Sequence, residues 1–393
     1  MPGKNRPIIA LTGATGFLGS HIMAALLRKG YAVIILGRAA KSETLEQRVT
    51  RLLRWFGMEE SVGRPETVDI DFRKPRLGIP EPQYRELCAR IDQIIHCASD
   101  TNFSERKRDL VFEANVNGLN GILEMAARSR VFNFHYISTA YVAGADDTLC
   151  RETLSEASVF VNVYEESKAR AEKIIAAHCA ENSIPLTINR PSVVYGDSRT
   201  GRSLKFSALY FPIKSLQHIK EIYLNDIRLH EGKRSREGGI ALDSQGRLNL
   251  PLRMVLPRKG SINLIPVDYF AATTMAIVEN SPAGGIFHLT NASPMKPETL
   301  SAYAERFMNV RGLEIAYGRA GDLVPRNAAE ELFDCFIEPY RPYFSDTRVF
   351  QRTHTDAVSG GIQPPEFTYE IFERCMEFAV QVQWGKKLFS PAL

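Results

Sequence analysis

The chain is poor in the features that mark specialised protein classes. Its 393 residues hold six cysteines (Cys88, Cys97, Cys150, Cys179, Cys335 and Cys375), with no CxxC pair and no His/Cys cluster. Such spacing supports neither a zinc site nor a disulfide framework, so no metal is expected, and it suits reduced core cysteines in a cytoplasm. No apolar run approaches the ~20 residues that cross a bilayer, so no membrane span is expected. The start, Met1-Pro2-Gly3-Lys4-Asn5-Arg6-Pro7, runs straight into Ile8-Ile9-Ala10-Leu11 without the apolar core or cleavage site of a secretory signal. A cytoplasmic location is therefore expected. One-sided charge is lacking too: 49 basic against 45 acidic side chains leave +4, too little for nucleic acid to be the main partner. What is present is an ordinary globular composition, 44% hydrophobic and 24% charged, long enough for one large α/β domain with an annex or for two domains.

The first half alternates two periodicities. Residues 7–12, 31–36, 67–71, 92–97, 132–138 and 185–190 are short strand-like runs. Between them, 16–29, 42–56, 109–128 and 162–181 repeat apolar residues at helical spacing. Strands alternating with helices predict βαβ units and a parallel sheet, and wholly apolar strands such as 31–36 predict helices on both of its faces. After about residue 200 the pattern loosens. Residues 262–266, 285–290 and 313–317 are strand candidates; 267–280, 297–310, 328–338 and 367–385 are helix candidates; and 203–260 shows few clear strands.

Thr12-Gly13-Ala14-Thr15-Gly16-Phe17-Leu18-Gly19 places three glycines, Gly13, Gly16 and Gly19, directly after the first strand and at the start of the first helix. Glycine permits the sharp turn, lets backbone N–H groups approach a pyrophosphate, and packs helix close to strand. The helix N-terminus adds a favourable dipole. In this context the triplet predicts a dinucleotide site. The second strand ends at Leu36-Gly37-Arg38, where an acid would hold a ribose 2′-hydroxyl and an arginine suits a 2′-phosphate. NADP(H) is therefore expected over NAD(H), with Lys41 and Arg48 read as solvated. The expected fold is a doubly wound Rossmann-type parallel sheet over residues 1–202, with segments near 261–292 returning to it. A smaller, mostly helical substrate-binding part is expected over 203–393.

Tyr164-Glu165-Glu166-Ser167-Lys168 sets a phenol and an ammonium four residues apart on a predicted helix, so both point the same way. A phenol of pKa ~10 is a poor acid or base at neutral pH, and a nearby cation favours its ionised form. Tyr164 could then exchange a proton with a carbonyl or alcohol oxygen, with Lys168 bonding a ribose. Tyr136-Ile137-Ser138-Thr139 ends a predicted strand 25 residues before Tyr164. Of its two hydroxyls, Thr139 is selected to support the reacting oxygen. His96 and Asn115 are read as cofactor-loop or structural residues, and Asp100 and Glu166 as solvated.

Together these residues resemble the extended short-chain dehydrogenase/reductases. TGATGFLG, IIHCAS, Asn115-Val116-Asn117-Gly118, STAYVAG, YEESK and RPSVVYGDSRTG occur in that superfamily's order, over most of residues 7–290. Within it, Pro75-Arg76-Leu77-Gly78 and Asn263-Leu264-Ile265-Pro266-Val267-Asp268-Tyr269 are most similar to thioester reductase domains and fatty acyl-CoA reductases. The resemblance implies a catalytic Thr139/Tyr164/Lys168 triad. It implies cofactor contacts from Gly13, Thr15, Gly16, Phe17, Leu18 and Gly19, with Arg38 at the 2′-phosphate. Asp71 and Phe72 would border the adenine, His96, Cys97 and Ala98 would line the groove, and Pro191, Ser192 and Val193 would meet the nicotinamide. The family's usual Gly-Asp-Leu is Ile70-Asp71-Phe72 here, and its usual alanine is Ser99.

The implied reaction is hydride transfer from NADPH to an acyl thioester, carried on CoA or an acyl carrier protein, giving aldehyde or alcohol in a stand-alone enzyme. Two other readings share these residues: a dehydrogenase or epimerase acting on a sterol-like alcohol or nucleotide sugar, and a non-catalytic NADP-sensing protein. Residues 228–259 carry eight basic side chains against three acidic ones. This basic patch, centred on Arg234 and Arg236, is a candidate dock for CoA phosphates or an acidic carrier. Phe333, Phe336, Tyr340, Tyr343 and Phe344 are read as core or as an acyl pocket, and a homodimer through 109–128 and 162–181 is an open possibility.

Overall fold

The computed structural model describes residues 6–59, 63–129, 131–145, 148–318 and 324–389. They form two compact units.

The first unit comprises Met1–Ser192, Val267–Thr290 and Val349–Pro364. Its strands are β1 (Ile8–Thr12), β2 (Ala32–Gly37), β3 (Glu66–Asp69), β4 (Gln93–His96), β5 (Asn133–Ile137), β6 (Leu149–Cys150), β7 (Leu186–Pro191), β8 (Gly285–Leu289) and β9 (Val349–Phe350). Its helices are α1 (Phe17–Arg28), α2 (Leu45–Trp55), α3 (Glu81–Arg90), α4 (Arg108–Phe112), α5 (Leu119–Arg128), α6 (Val163–Glu181), α7 (Val267–Asn280) and α8 (Thr353–Ser359). Seven strands make one parallel sheet in the order β8-β7-β5-β4-β1-β2-β3. The order reverses beside β1, between β4 and β2, and ligands of such sheets bind at the strand C-termini of that reversal.

Apolar patterning explains the layers. On one face Ala10, Ile34, Ile94, Tyr136 and Ile188 pack against Leu87, Ile122, Met125 and Ile175 of α3, α5 and α6. The other face carries α1 and α7, which pack together. A capping box, Thr44 with Gln47, starts α2, and Asn162 Oδ1 accepts from the Glu165 N–H at 3.1 Å to start α6. The edge strand β8 would expose unpaired N–H groups. Buried Glu152 covers it, accepting from His288 N at 3.2 Å and from Thr355 N and Oγ1 of α8 at 3.1 and 2.7 Å. Beneath β7, Arg190 and Glu172, each 1% exposed, form a two-pronged ion pair at 2.9 and 2.5 Å.

The second unit comprises Val193–Pro266, Asn291–Arg348 and Pro365–Leu393. A twenty-residue helix, Tyr210–Leu229, joins helices Pro297–Met308, Ala328–Ile337 and Tyr369–Gln381 around a small sheet of Ala241–Leu242, Leu248–Leu256 and Val310–Tyr317. Phe333 and Phe344 are buried in this core and border an apolar cavity of about 30 Å³ with Pro212, Leu216 and Leu300. No helix among the described residues is long and apolar enough to cross a membrane, and none of their His, Cys, Asp or Glu clusters could hold a metal ion. None of the six cysteines is in a disulfide.

Candidate active site

The glycine loop is dictated by close approach. Gly13 has φ +73°, and a Cβ there would lie 2.6 Å from the Ala98 nitrogen at the end of β4. A Cβ on Gly19 would lie 2.2 Å from the Gly13 carbonyl oxygen. The turn closes through Gly16 N–H donating to Gly13 O at 2.9 Å. Gly16 is exposed and caps α1 without any side-chain bond, so the first N–H groups of the helix are left for a ligand. Thr15, Phe17 and Leu18 are half-buried around it.

Thr12 joins the ends of β1 and β4. Its Oγ1 accepts from the N–H groups of Cys97 and Ala98, both at 3.2 Å, and bonds His96 Nδ1 at 2.9 Å. With two donors received, the hydroxyl gives its own proton to Nδ1, which leaves the ring proton on Nε2. The His96 ring stacks on Tyr136 at 5.9 Å, with Phe72 edge-on at 6.0 Å. Burial, with the nearby Lys168 charge, pushes its pKa down to about 3, so His96 is neutral.

At the end of β2, Arg38 is exposed. Arg48 of α2 is half-buried and donates to the Arg38 carbonyl oxygen at 2.8 Å. Arg51 is paired with Glu43 at 3.0 Å, whereas Arg48 makes no ion pair among the described residues. Burial, then the charges of Arg51 and Arg38, lower the Arg48 pKa against the pull of Glu43. Two cations without a dedicated anion thus share the end of β2, where the sequence pattern points to Arg38 alone.

Tyr164 lies in the first turn of α6, half-buried, with the Phe103 ring 6.0 Å away. Burial, with smaller contributions from Cys97 and Glu165, raises its pKa above the ordinary phenol value. One turn on, Lys168 is 1% exposed, donates from Nζ to Ile137 O at 2.6 Å, and sits 4.0 Å over the Tyr136 ring. Burial brings its pKa down to about 7, opposed by Cys97 and Glu172. Thr139 follows β5 and is buried; its Oγ1 makes a long 3.5 Å bond to Pro191 O and accepts from Tyr141 N at 3.4 Å. Ser138 Oγ and Ser192 Oγ are buried without a hydrogen-bond partner among the described residues. Unsatisfied buried hydroxyls carry a cost that a bound polar group removes.

Two supports of the site are not visible in the sequence. The predicted helix 109–128 is interrupted by a π turn, Glu113–Asn117, between α4 and α5. Such turns recur at functional sites. It carries Asn115, whose Oδ1 accepts from Asp100 N at 2.7 Å and Ser99 Oγ at 3.1 Å. Its Nδ2 donates to Asp100 O and to Ser167 Oγ of α6, both at 2.9 Å. The loop after β4 is thereby fastened to the helix of Tyr164 and Lys168. Glu166, expected to be solvated, pairs with Arg108 of α4 at 2.8 Å. The other support is a left-handed turn: Arg76, Leu77 and Gly78 have φ of 52°, 58° and 76°. Leu77, fully buried, accepts from Asp71 N at 2.8 Å through its carbonyl. Asp71 itself takes a two-pronged bond from Arg73 at 3.0 Å, which lowers its pKa to about 2. Pro191 and Ser192 close the first unit, and Val193 begins the second.

Residues 11–274 match the model of an NAD-binding family described as "Male sterility protein". A linear gramicidin synthase from Brevibacillus parabrevis is 30% identical over 387 residues, 94% of this chain but 7% of that protein. The chain spans under a tenth of the length of such curated relatives. Among solved structures, the terminal R domain of the myxalamid PKS-NRPS pathway superposes with a TM-score of 0.71 at 22% identity, covering 98% of this chain and 93% of that one. A UDP-glucuronic acid 4-epimerase from Bacillus cereus, in complex with NAD, gives 0.63 at 16% identity, covering 96% and 98%. These two likenesses establish the fold.

Proposed function

The chain belongs to the NAD-binding male sterility family of the extended short-chain dehydrogenase/reductases, and from that premise we propose that it is an NADP(H)-dependent reductase of acyl thioesters. The observation that supports this reading is Lys168 held by the Ile137 carbonyl oxygen at the C-terminal end of β5, where Thr139 follows, with Tyr164 one helical turn away on α6 and a glycine loop whose helix start is uncapped. The cradle suits a dinucleotide: Gly16 and the free N–H groups of α1 for the pyrophosphate, Arg38 and Arg48 for a 2′-phosphate, and the partnerless Ser138 and Ser192 hydroxyls for polar groups of the nicotinamide end. When bound, the nicotinamide supplies the hydride.

The protein's own side chains manage charge and protons. Reduction turns a thioester carbonyl into an oxyanion, and hydrogen-bond donors fixed in a water-poor site stabilise it best. Tyr164 and Thr139 are those donors. The raised pKa of Tyr164 keeps its phenol protonated through the neutral range, which suits an acid rather than a base. Lys168, one turn further along α6, would hold the ribose. Collapse of the resulting hemithioacetal expels the thiol and leaves an aldehyde, and a second round at the same donors gives an alcohol. Acyl carrier protein or CoA would bring the acyl group.

The test is NADPH oxidation with octanoyl-CoA and with octanoyl-N-acetylcysteamine, followed by product identification. Octanal or octanol formed in step with NADPH loss is the expected result. Absence of both products from every acyl thioester tried removes the thioester reading.

A further inference from the structure

Of the eight cations of residues 228–259, Lys259 lies 5.8 Å over the Tyr317 ring and the other seven separate into two sets. Arg253 is committed to buried Glu330 at 2.5 and 2.9 Å, Arg247 to Asp243 at 2.9 Å, and Arg258 to the Ser345 carbonyl oxygen at 3.4 Å. Those three serve the second unit's own fold. Arg228, Lys233, Arg234 and Arg236 are all exposed, and the first three make no ion pair among the described residues. Arg236 donates to the Glu231 carbonyl oxygen.

The backbone that presents them is firmly built. The chain reverses after helix Tyr210–Leu229 at Gly232, φ +66°, whose N–H donates to Asp226 O at 2.9 Å. Ser235, 1% exposed, then pins the short helix Lys233–Glu237 by donating from N and Oγ to Asp226 Oδ2 at 2.8 and 2.7 Å. With position 235 held inward, the side chains at 233, 234 and 236 remain exposed. The nearest exposed carboxylates in sequence are Glu231 and Glu237, two against four cations. Within this basic stretch stands Leu229, 71% exposed.

We propose that the surface formed by Arg228, Leu229, Lys233 and Arg234 docks an acidic carrier protein through a helix bearing carboxylates around an apolar groove. An apolar centre with a charged rim is the usual composition of a specific protein interface. It also decides between two carriers of a thioester: CoA phosphates would answer the cations alone, whereas an acidic carrier answers the cations and covers Leu229. Exposed cations chiefly speed encounter, so the interaction weakens with salt. This inference rests on the thioester reading above, and the test separates the two.

Octanoyl thioesters of an acidic acyl carrier protein and of N-acetylcysteamine are compared with wild type and with a Lys233→Glu/Arg234→Glu double variant. Binding of the carrier protein is measured separately by calorimetry at about 50 and about 300 mM NaCl. The expected result is a loss of about tenfold or more in carrier affinity, and in the ratio of carrier to small-thioester kcat/KM, with a flattened salt dependence. Leu229→Ser should weaken carrier binding at both salt concentrations. Equal carrier affinity for wild type and both variants overturns the surface. If wild type reduces neither thioester, the reaction is misassigned, and the calorimetry alone upholds or overturns the dock.

Discussion

Lys168 Nζ donates to the carbonyl oxygen of Ile137 at 2.6 Å, so the buried cation of α6 is held at the end of the strand that leads into Thr139. Its pKa, brought down to about 7 by burial, sets a pH dependence whose sign can be worked out. The folded protein holds this proton less tightly than the unfolded chain. Burial therefore opposes folding most when Lys168 is charged, and the cost fades as pH rises through 7 toward the ordinary lysine value. Lys168→Met should raise the melting temperature at pH 6 more than at pH 9, while removing most NADPH affinity. In wild type the charged form that would hold the ribose is lost above pH 7, so KM for NADPH should climb there. Lys168→Arg, charged throughout, should flatten that climb if it folds. Tyr164→Phe should bind NADPH normally and lose about 10²–10⁴ in kcat.

Arg48 offers a direct test of cofactor choice. Its guanidinium is anchored on the Arg38 carbonyl oxygen, and the two cations repel each other until an anion enters. Arg48→Gln and Arg38→Gln should each lower kcat/KM for NADPH by about tenfold or more, since a charge-assisted bond contributes about 1.5–3 kcal/mol. NADH turnover should change little, because its 2′-hydroxyl makes no use of either charge. Equal losses with both cofactors would contradict the 2′-phosphate assignment.

The sequence pattern exposes most of the first unit because its strands are short apolar runs and its glycines stand at a strand-to-helix turn. Their spacing makes Gly13 and Gly19 look ligand-facing, yet what forbids a Cβ at either is the protein's own backbone. The Tyr164–Lys168 spacing finds the α6 pair, because four residues on a helix fix a common face. Long-range polar bonds leave no such trace: nothing in periodicity ties Asn115 to Ser167, or Arg48 to the Arg38 carbonyl oxygen. In the second unit, helix Tyr210–Leu229 and strand Leu248–Leu256 escape the pattern. Charged residues dilute the helix periodicity, and an extra residue between Asn249 and Leu252 breaks the strand's alternation against Val310–Tyr317.

Asn115 should behave as a positioning residue. It satisfies both backbone groups of Asp100 and the hydroxyls of Ser99 and Ser167 at once. Asn115→Ala leaves the half-buried Asp100 backbone and the buried Ser167 hydroxyl without this partner and should cost about 1–3 kcal/mol in urea unfolding. Because Ser167 also donates to the Tyr164 carbonyl oxygen at 2.8 Å, the first turn of α6 loosens with it. In protein that remains folded, kcat should fall more than KM for NADPH rises. Asn115→Asp keeps the accepting Oδ1 but turns a second carboxylate oxygen onto the Asp100 carbonyl oxygen, so it should cost at least as much stability as Asn115→Ala.

The left-handed turn at Arg76-Leu77-Gly78 makes opposite demands on neighbouring positions. Non-glycine residues in this conformation cost about 1–2 kcal/mol each. Arg76 is partly exposed and gains an ion pair with Glu81 at 3.0 Å, a surface contact of about 0–1 kcal/mol. Arg76→Gly gives up that pair and gains a relaxed backbone, so stability should shift by less than about 1 kcal/mol. Arg76→Val, stiff at its branch point, should cost about 1–3 kcal/mol. Leu77 has no such freedom. It is fully buried against α5, where a Cβ on Gly121 would lie 2.5 Å from Leu77 Cδ2. Leu77→Ala should cost about 2–5 kcal/mol by emptying that contact. The Leu77 carbonyl also fixes the Asp71 N–H, and Asp71-Phe72 is the segment assigned to the adenine. Leu77→Ala should therefore raise KM for NADPH while leaving kcat near wild type. Urea unfolding and cofactor titration of the three variants measure both effects, and a loss confined to kcat would detach this turn from the adenine side.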